Sequence, residues 1–333
     1  MIVPGLFRPC DKGGYVILRD VTDMSYRQLG ASGLTVSVVG VGCNAFGRRI
    51  DAAAAAAVVH AALDHGVTLF DTADTYGLGE SERMLGAALG SRRDDVIVAT
   101  KFGSDMQGAN GPDWGVRGSR RYIRRAVESS LRRLGTDWID LYQLHVPDQR
   151  TPLEETLAAL DELVGAGLVR YVGSSNFAAW QVTEAAWIAR TEGLSPFISA
   201  QNKYSLYDRA AEAELVPAAE SAGVGILPYA PLAWGLLTGK YRRDQAAPDG
   251  SRLADPGQAK RLHGADFDRI EALERFAADR GVGILDVAIG GLAAQPAVGS
   301  VIAGAVSPEQ VAANVAAGSW EPTADDLAAL DAI

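Results

Sequence analysis

Three residues whose side chains transfer or hold protons lie at the ends of successive strand-like runs. Asp71 closes one run, Lys101 the next and His145 the one after it, and Tyr76 follows Asp71 by five residues. Because parallel strands of a barrel end at one shared mouth, these side chains can meet there. A partly desolvated lysine favours the phenolate of a neighbouring tyrosine and lowers its pKa, and Asp71 can pair with the lysine. The set predicts a tyrosine acid, with a neutral histidine beside it to orient a substrate carbonyl.

The elements that must position these residues alternate regularly. Eight strand-like runs are predicted at Val38–Gly42, Val67–Ala73, Val96–Lys101, Ile139–His145, Val169–Ser174, Phe197–Asn202, Val224–Tyr229 and Val298–Gly304. The helical segments between them are Asp51–His65, Ser81–Leu89, Arg120–Leu134, Leu153–Ala166, Ala178–Thr191, Ala211–Ala222 and Phe267–Arg280. Mostly β-branched runs in this alternation indicate a parallel sheet covered on both faces. Count and length predict an α/β fold, a (β/α)8 TIM barrel.

Three further segments complete the predicted organisation. The pattern after Tyr26, with a turn on Gly30 and Gly33, predicts an N-terminal β-hairpin. A Pro/Gly/Arg/Asp-rich loop from Pro231 to Gly264 follows the seventh strand, and a loop of that length in a compact domain is usually functional. We expect residues 1–23 to be a poorly ordered extension, and residues 24–333 to form a single domain.

Composition excludes several classes of protein. The net charge is −10, with no basic run, so nucleic acid is not an expected partner. No stretch of about twenty residues is apolar enough to cross a membrane, and the chain start has no secretory pattern. Two cysteines, Cys10 and Cys43, give no disulfide or metal framework and favour a cytoplasmic setting. No metal site is predicted.

Several segments together resemble the aldo-keto reductases over roughly residues 26–314. FDTADTYGLGESE at 70–82 resembles the family segment with the catalytic aspartate and tyrosine. The lysine and histidine segments are ATK at 99–101 and LRRLGTDWIDLYQLH at 131–145. The cofactor segments are RYVGSSNF at 170–177, QNKYSLYDR at 201–209 and PYAPLAWGLLTGKY at 228–241.

The resemblance implies metal-free hydride transfer from NADPH to a small aldehyde or ketone. Tyr76 would protonate the carbonyl oxygen, Lys101 and Asp71 would tune it, and His145 would orient the substrate. GVG at 40–42 lacks the third glycine of a dinucleotide fingerprint, so the nicotinamide would not be held in Rossmann fashion.

The same resemblance supplies the expected cofactor residues. Ser175, Asn176 and Gln201 match residues that hold the carboxamide, and Tyr229 matches the aromatic stacked on the nicotinamide ring. Further cofactor contacts are expected from Asp71 and from the strand ends and loops, namely Gly42, Cys43, Asn44, Ala230, Pro231, Leu232 and Gly235.

One departure bears on the choice between NADPH and NADH. Many family members carry Lys and Arg after the last strand for the 2′-phosphate, where this chain has Gly304 and Gln310. The combination of Gln310 and Asn314 is similar to the branch that includes potassium-channel β-subunits, where the long loop supplies those cations. Lys240 and Arg252 lie in the corresponding loop, so NADPH is expected and NADH possible.

Alternatives remain open for function and for individual residues. The chain could be an NAD(P)-dependent sugar or alcohol dehydrogenase working in the oxidative direction, or a cofactor-binding regulatory subunit with slow turnover. The catalytic set could be a structural ion pair with two packed rings. Phe46, Trp114 and Trp234 are candidates for the substrate pocket, while Trp138, Trp180 and Trp187 are interpreted as packing residues. Substrate and oligomeric state are not predicted.

Overall fold

The computed structural model describes residues 18–19 and 24–333. The strands are β1 Leu18–Arg19, β2 Ser25–Gln28, β3 Thr35–Ser37, β4 Val39–Gly42, β5 Leu69–Asp71, β6 Ile97–Phe102, β7 Ile139–Leu144, β8 Val169–Ser175, β9 Phe197–Gln201, β10 Gly225–Ile226 and β11 Val301–Gly304. The helices are α1 Ala52–Asp64, α2 Glu80–Leu89, α3 Arg120–Leu134, α4 Leu153–Gly165, α5 Ala179–Glu192, α6 Leu215–Ala222, α7 Ala259–His263, α8 Phe267–Asp279, α9 Ile284–Asp286, α10 Pro308–Gly318 and α11 Ala324–Asp331.

Eight of these strands form one parallel sheet that curls into a barrel. Its order is β10-β9-β8-β7-β6-β5-β4-β11. Parallel bridges from Ile226 to Val298 and from Tyr229 to Ile302 join the two ends of the sheet. The predicted (β/α)8 barrel is therefore confirmed.

The seventh and eighth strands are shorter than predicted. The structure has Gly225–Ile226 and Val301–Gly304 in place of Val224–Tyr229 and Val298–Gly304. Pro228 has no N–H to donate, which interrupts the ladder on this side. Its carbonyl still accepts a 3.1 Å hydrogen bond from the N–H of Ile302, so the backbone follows the barrel without a continuous ladder.

The predicted hairpin is confirmed, with β2 and β3 paired antiparallel. Leu29 and Leu34 pack with Leu69 and Leu141 in the barrel interior. The hairpin therefore covers the end of the barrel where the parallel strands begin, opposite their carboxyl ends. Gly30 has φ +57°, and a Cβ there would lie 2.6 Å from the carbonyl oxygen of Gly223. Only glycine fits this close approach. β1 adds a third strand beside β2.

The helices surround the barrel, and their ends follow capping signals in the sequence. The Asp51 side chain accepts a hydrogen bond from Ala54 N at the start of α1. The Ser119 side chain caps α3, and Gly135 ends that helix in the left-handed region. The second, larger apolar cluster fills the layer between helices and sheet.

The long segment after the seventh strand contains short helical turns at Ala233–Thr238 and Arg252–Ala254, followed by α7. The predicted poor order of residues 1–23 falls mainly on 1–17 and 20–23, which lie outside the described residues. In the part of the chain described here, no helix is long and apolar enough to cross a membrane.

Candidate active site

A buried ion pair forms the base of the site. Lys101, on β6, donates hydrogen bonds of 2.8 and 2.7 Å to the two carboxylate oxygens of Asp71, on β5. It also donates 2.8 Å to the carbonyl of Thr72, and its side chain is fully buried. Burial lowers the pKa of Lys101, but the Asp71 carboxylate outweighs this and leaves the pKa above its ordinary value. The lysine is therefore a fixed ammonium ion.

Tyr76 lies over this pair in the turn that follows β5. The Lys101 Nζ is 5.1 Å from the centroid of the tyrosine ring. The expected lowering of the tyrosine pKa is wrong for this structure. Burial raises the pKa of Tyr76, and the nearby Lys101 charge opposes this only in part. The hydroxyl is consequently protonated at neutral pH, as a proton donor must be.

His145 follows β7 and meets Tyr76 edge to face, with ring centroids 6.0 Å apart. Burial, with the Lys101 charge second, lowers the pKa of His145 to about 3. The ring is therefore neutral, as predicted. Its Nδ1 is buried and has no hydrogen-bond partner in the described part of the chain.

A second set of polar side chains extends the site across the ends of β8 and β9 and the segment that follows β10. Gln201 Nε2 donates a 2.7 Å hydrogen bond to Asp71 Oδ1. The hydroxyl of Tyr229 donates 2.9 Å to Asn176 Oδ1, and Asn176 Nδ2 donates 2.9 Å to the carbonyl of His145. Asn176 has φ +59°, a conformation that asparagine tolerates better than most residues. The side chains of the two sets thus form one connected wall.

This wall faces a cavity of about 590 Å³ at the carboxyl ends of the strands. The structure brings together most of the predicted site residues in its lining, namely Gly42, Asn44, Asp71, Tyr76, His145, Ser175, Asn176, Gln201, Tyr229, Ala230, Pro231, Leu232, Trp234, Gly235, Lys240, Arg252, Gly304, Gln310 and Asn314. Lys101 lies behind the lining because Asp71 and Tyr76 cover it.

The long loop contributes a cationic end to the cavity. Arg252 is partly buried and makes no ion pair within the described residues. Burial and the positive charges of Arg49, Arg261 and Arg48 lower the pKa of Arg252. A partly buried cation among other cations is unfavourable unless an anion joins them. The N-terminus of α10, whose residues Gln310 and Asn314 line the cavity, adds a positive dipole end.

Besides Lys101, three predicted site residues do not reach the cavity. Cys43 and Phe46 are fully buried and absent from the lining, because their side chains belong to the apolar core under the loop after β4. The prediction that Phe46 lines the substrate pocket is therefore wrong. Trp114 is also absent from the lining, with 61% of its surface exposed and Arg121 stacked 4.5 Å from its ring centroid.

Several residues of the cavity lining were not among the predicted site residues, and two tryptophans were wrongly predicted to pack in the interior. The missed residues are Ala45, Arg49, Thr238, Gly250, Ser251, Leu285, Ile302, Ala305, Val306 and Ala313. Arg49 lies in the loop after β4, the first barrel strand. Its position after a strand end is the sequence signal by which it could have been predicted as a site residue. Trp180 and Trp187 are not packing residues, since 64% and 66% of their surfaces are exposed. Trp138 does pack, between the guanidinium groups of Arg93 and Arg170.

Comparisons with known proteins agree with this geometry. The model of the Aldo/keto reductase family matches residues 38–333. A probable voltage-gated potassium channel subunit beta of Oryza sativa subsp. japonica is 37% identical over 88% of this chain and 91% of its own length. An uncharacterized oxidoreductase of Bacillus subtilis, YrpG, is 37% identical over 86% and 89%.

An L-glyceraldehyde 3-phosphate reductase of Escherichia coli is 33% identical over 88% of this chain and 87% of its own length. The family-model match extends from the first barrel strand through the last helices, so it includes every strand end that forms the cavity. The chain therefore belongs to the aldo/keto reductase family, a family of NAD(P)-dependent oxidoreductases.

Proposed function

We propose that this protein reduces the carbonyl group of a small aldehyde or ketone with NADPH, using Tyr76 as the proton donor. The observation that carries the proposal is the juxtaposition of Tyr76 with the Asp71–Lys101 ion pair and with neutral His145 in one cavity. This set provides a proton, a charge that stabilises the resulting phenolate, and a group that fixes the substrate.

The proton donor depends on Lys101. When Tyr76 gives its proton to the carbonyl oxygen, a phenolate forms next to the Lys101 ammonium. The attraction grows as the negative charge develops, so it favours the transition state more than the ground state. Asp71 keeps the ammonium in place and offsets the cost of burying it.

His145 acts by hydrogen bonding. A neutral imidazole carries one N–H, which can point at a carbonyl oxygen placed beside the Tyr76 hydroxyl. Since its pKa is about 3, the ring does not compete with Tyr76 as an acid at neutral pH. Two donors then hold the oxygen that receives the proton.

The residues of the cavity fit a nicotinamide dinucleotide. Gln201 Oε1 makes no hydrogen bond within the described residues, and with Ser175 and Asn176 it can hold the carboxamide. Tyr229 offers a ring face for the nicotinamide. When bound, the reduced nicotinamide supplies the hydride that the protein itself lacks.

NADPH is favoured over NADH by the cationic end of the cavity. Arg252 has no carboxylate partner within the described residues, and three more arginines are close enough to lower its pKa. The 2′-phosphate carries the charge that would satisfy this cluster, whereas NADH ends there in a neutral hydroxyl. Lys240, which also lines the cavity, adds a further cation.

The substrate side of the cavity is shaped by Trp234, whose ring has Lys203 and Arg261 at 5.0 and 4.0 Å from its centroid. An aromatic wall with cations around it fits both aromatic aldehydes and anionic carbonyl compounds. The similarity to an L-glyceraldehyde 3-phosphate reductase makes a phosphorylated aldehyde a reasonable member of the substrate panel.

The proposal is tested by fluorescence titration with NADPH and NADH, followed by a spectrophotometric assay on aromatic aldehydes, α-dicarbonyls, sugars and a phosphorylated aldehyde. NADPH oxidation that depends on an aldehyde is the expected result. The same assay with NADP⁺ or NAD⁺ and the corresponding alcohols tests the oxidative direction. Binding of neither nucleotide contradicts the proposal.

A second candidate is a cofactor-binding regulatory subunit. It is favoured by the similarity to two plant proteins described as probable potassium channel subunits beta. Trp180 and Trp187, seven residues apart on α5, share one exposed helix face that is suited to a protein partner. Tight NADPH binding without turnover of any carbonyl compound would favour the regulatory-subunit hypothesis. Turnover well above background would contradict it.

A further inference from the structure

A group of buried polar side chains lies behind the turn that carries Tyr76. This group, the Asp74 cluster, comprises Asp74, Glu82, Thr100, Asn110 and Arg133. Asn110 Nδ2 donates 3.0 Å to Asp74 Oδ2, and the Thr100 hydroxyl donates 2.7 Å to Glu82 Oε1. None of the catalytic contacts described above uses these side chains.

Asp74 has no cation of its own in the Asp74 cluster. The Arg133 Nε donates 2.6 Å to Glu82 Oε2, and its NH1 and NH2 groups donate to Asn110 Oδ1 and Ser130 Oγ. Asp74 Oδ1 is buried and has no hydrogen-bond partner within the described residues. A carboxylate placed there would be desolvated and only half satisfied.

The charged and titratable groups around Asp74 are Glu82 on α2, Arg133 and Tyr122 on α3, and Tyr142 on β7. Burial and then the Glu82 charge raise the pKa of Asp74 to about 8, with Arg133 and Asn110 opposing. The hydroxyl of Tyr142, on which the Asp74 charge acts, is also buried without a partner in the described chain. A neutral carboxylic acid, which can both donate and accept, suits this environment better than an anion.

The backbone connects Asp74 to the residues of the proposed reaction. The N–H of Asp74 donates 3.1 Å to the carbonyl of Lys101, and the N–H of Tyr76 donates 3.1 Å to the carbonyl of Ala73. Asp74 therefore lies in the turn that determines the position of Tyr76 relative to Lys101. A displacement of this residue would separate the two side chains.

We propose that Asp74 is a positioning residue whose side chain works as a neutral carboxylic acid and anchors the Tyr76 turn to the loop of Asn110, while its backbone N–H joins the same turn to the Lys101 strand. Its loss of a proton in alkaline solution places a second carboxylate beside Glu82 and loosens that turn. Two experiments test this inference. The activity arm measures kcat and rests on the proposed reductase function, whereas the stability arm measures the melting temperature and does not depend on that function.

The stability arm compares wild type with Asp74→Asn, because an amide reproduces one donor and one acceptor without a charge. A carboxyl whose pKa is raised on folding contributes stability that is present below its unfolded pKa and lost as pH rises through its folded pKa. The melting temperature of Asp74→Asn, relative to wild type, should therefore rise from about pH 4 to about pH 8, and the difference should be constant at higher pH. Asp64→Asn, at an exposed position of α1, is the matched control and should track wild type. A pH-independent difference for Asp74→Asn contradicts the inference.

The activity arm measures kcat against pH for wild type, Asp74→Asn and Asp74→Ala. Wild-type kcat should fall above about pH 8, and the Asn variant should lose this alkaline decline while keeping kcat at pH 7 within about fivefold. The Ala variant should lose about tenfold or more, since a displacement of about 1 Å suffices for that. An unchanged alkaline decline in the Asn variant overturns the inference, and that variant decides alone if the Ala variant does not fold. Absence of turnover in wild type contradicts the proposed function but leaves the stability arm intact.

Discussion

Gln201 Nε2 donates a 2.7 Å hydrogen bond to Asp71 Oδ1, the same carboxylate oxygen that accepts from Lys101 Nζ. One amide therefore connects the wall expected to hold the nicotinamide with the ion pair that supports the proton donor. The link joins β9 to β5, which are separated by three strands in the sheet and meet only across the barrel interior.

Replacing Gln201 with Leu removes this donor at almost constant volume. We expect the free energy of unfolding to fall by about 1 kcal/mol, the usual contribution of a hydrogen bond, and by up to about 3 kcal/mol for one to a charged group. The KM for NADPH should rise, because the amide oxygen is lost as well. Urea unfolding and steady-state kinetics measure the two effects. Wild-type values for both would show that the contact is incidental.

Replacing Lys101 with Met leaves the Asp71 carboxylate buried without its cation. The free energy of unfolding should decrease by about 3–5 kcal/mol, the typical cost of breaking a buried pair from one side. The Lys101→Met variant should also lose its carbonyl-reductase activity. The double variant Asp71→Leu with Lys101→Met should recover most of the stability and none of the activity. Recovery of activity in the double variant would show that the ion pair is only structural.

His145 gives a pH dependence of stability at acid pH. Because its pKa is lowered to about 3, the native state stays unprotonated where the unfolded chain binds a proton. Its contribution to stability is therefore present above the unfolded value of 6.5 and lost as pH falls, at about 1.4 kcal/mol per pH unit. Denaturant unfolding at pH 7 and pH 5 should show a smaller acid loss for His145→Gln than for wild type. Equal losses would place the imidazole in a solvated environment.

Arg252 distinguishes the two cofactors. Arg252→Ala should weaken NADPH binding by about 10- to 100-fold, the range expected for one or two charge-assisted hydrogen bonds, and NADH binding far less. Fluorescence titration with each nucleotide is the measurement, and Arg124→Ala, an exposed arginine on α3, is the matched control. Equal weakening of both nucleotides would move the 2′-phosphate contact to another residue.

Most of the barrel was predictable because most of its strands and helices carry a local signal, whereas α10 and α11 were not among the predicted helices. β-branched runs, N-caps such as Asp51 and C-terminal glycines such as Gly135 mark nearly every element. The seventh strand was harder, because Pro228 breaks the ladder while the chain keeps its path. Periodicity cannot show where hydrogen bonding stops along an otherwise apolar run.

The site was predictable at strand ends and less so on loops. Tyr76 and Gln201 fall where the barrel topology requires, whereas Phe46 and Trp114 depend on how two loops fold. Phe46 turns inward to the core, and Trp114 stays outside with Arg121. The exposure of Trp180 and Trp187 could not be predicted from the sequence either, because α5 carries apolar residues on more than one face.

The most direct test of the central claim is single-turnover reduction of an aldehyde by NADPH-loaded wild type and Tyr76→Phe, with NADPH affinity measured on the same samples. The variant keeps the ring and loses only the hydroxyl. We predict a turnover rate lower by about 10²- to 10⁴-fold, as for other lost general acids, with NADPH affinity nearly unchanged. A Tyr76→Phe variant that reduces the aldehyde at the wild-type rate would contradict the assignment of Tyr76 as the proton donor.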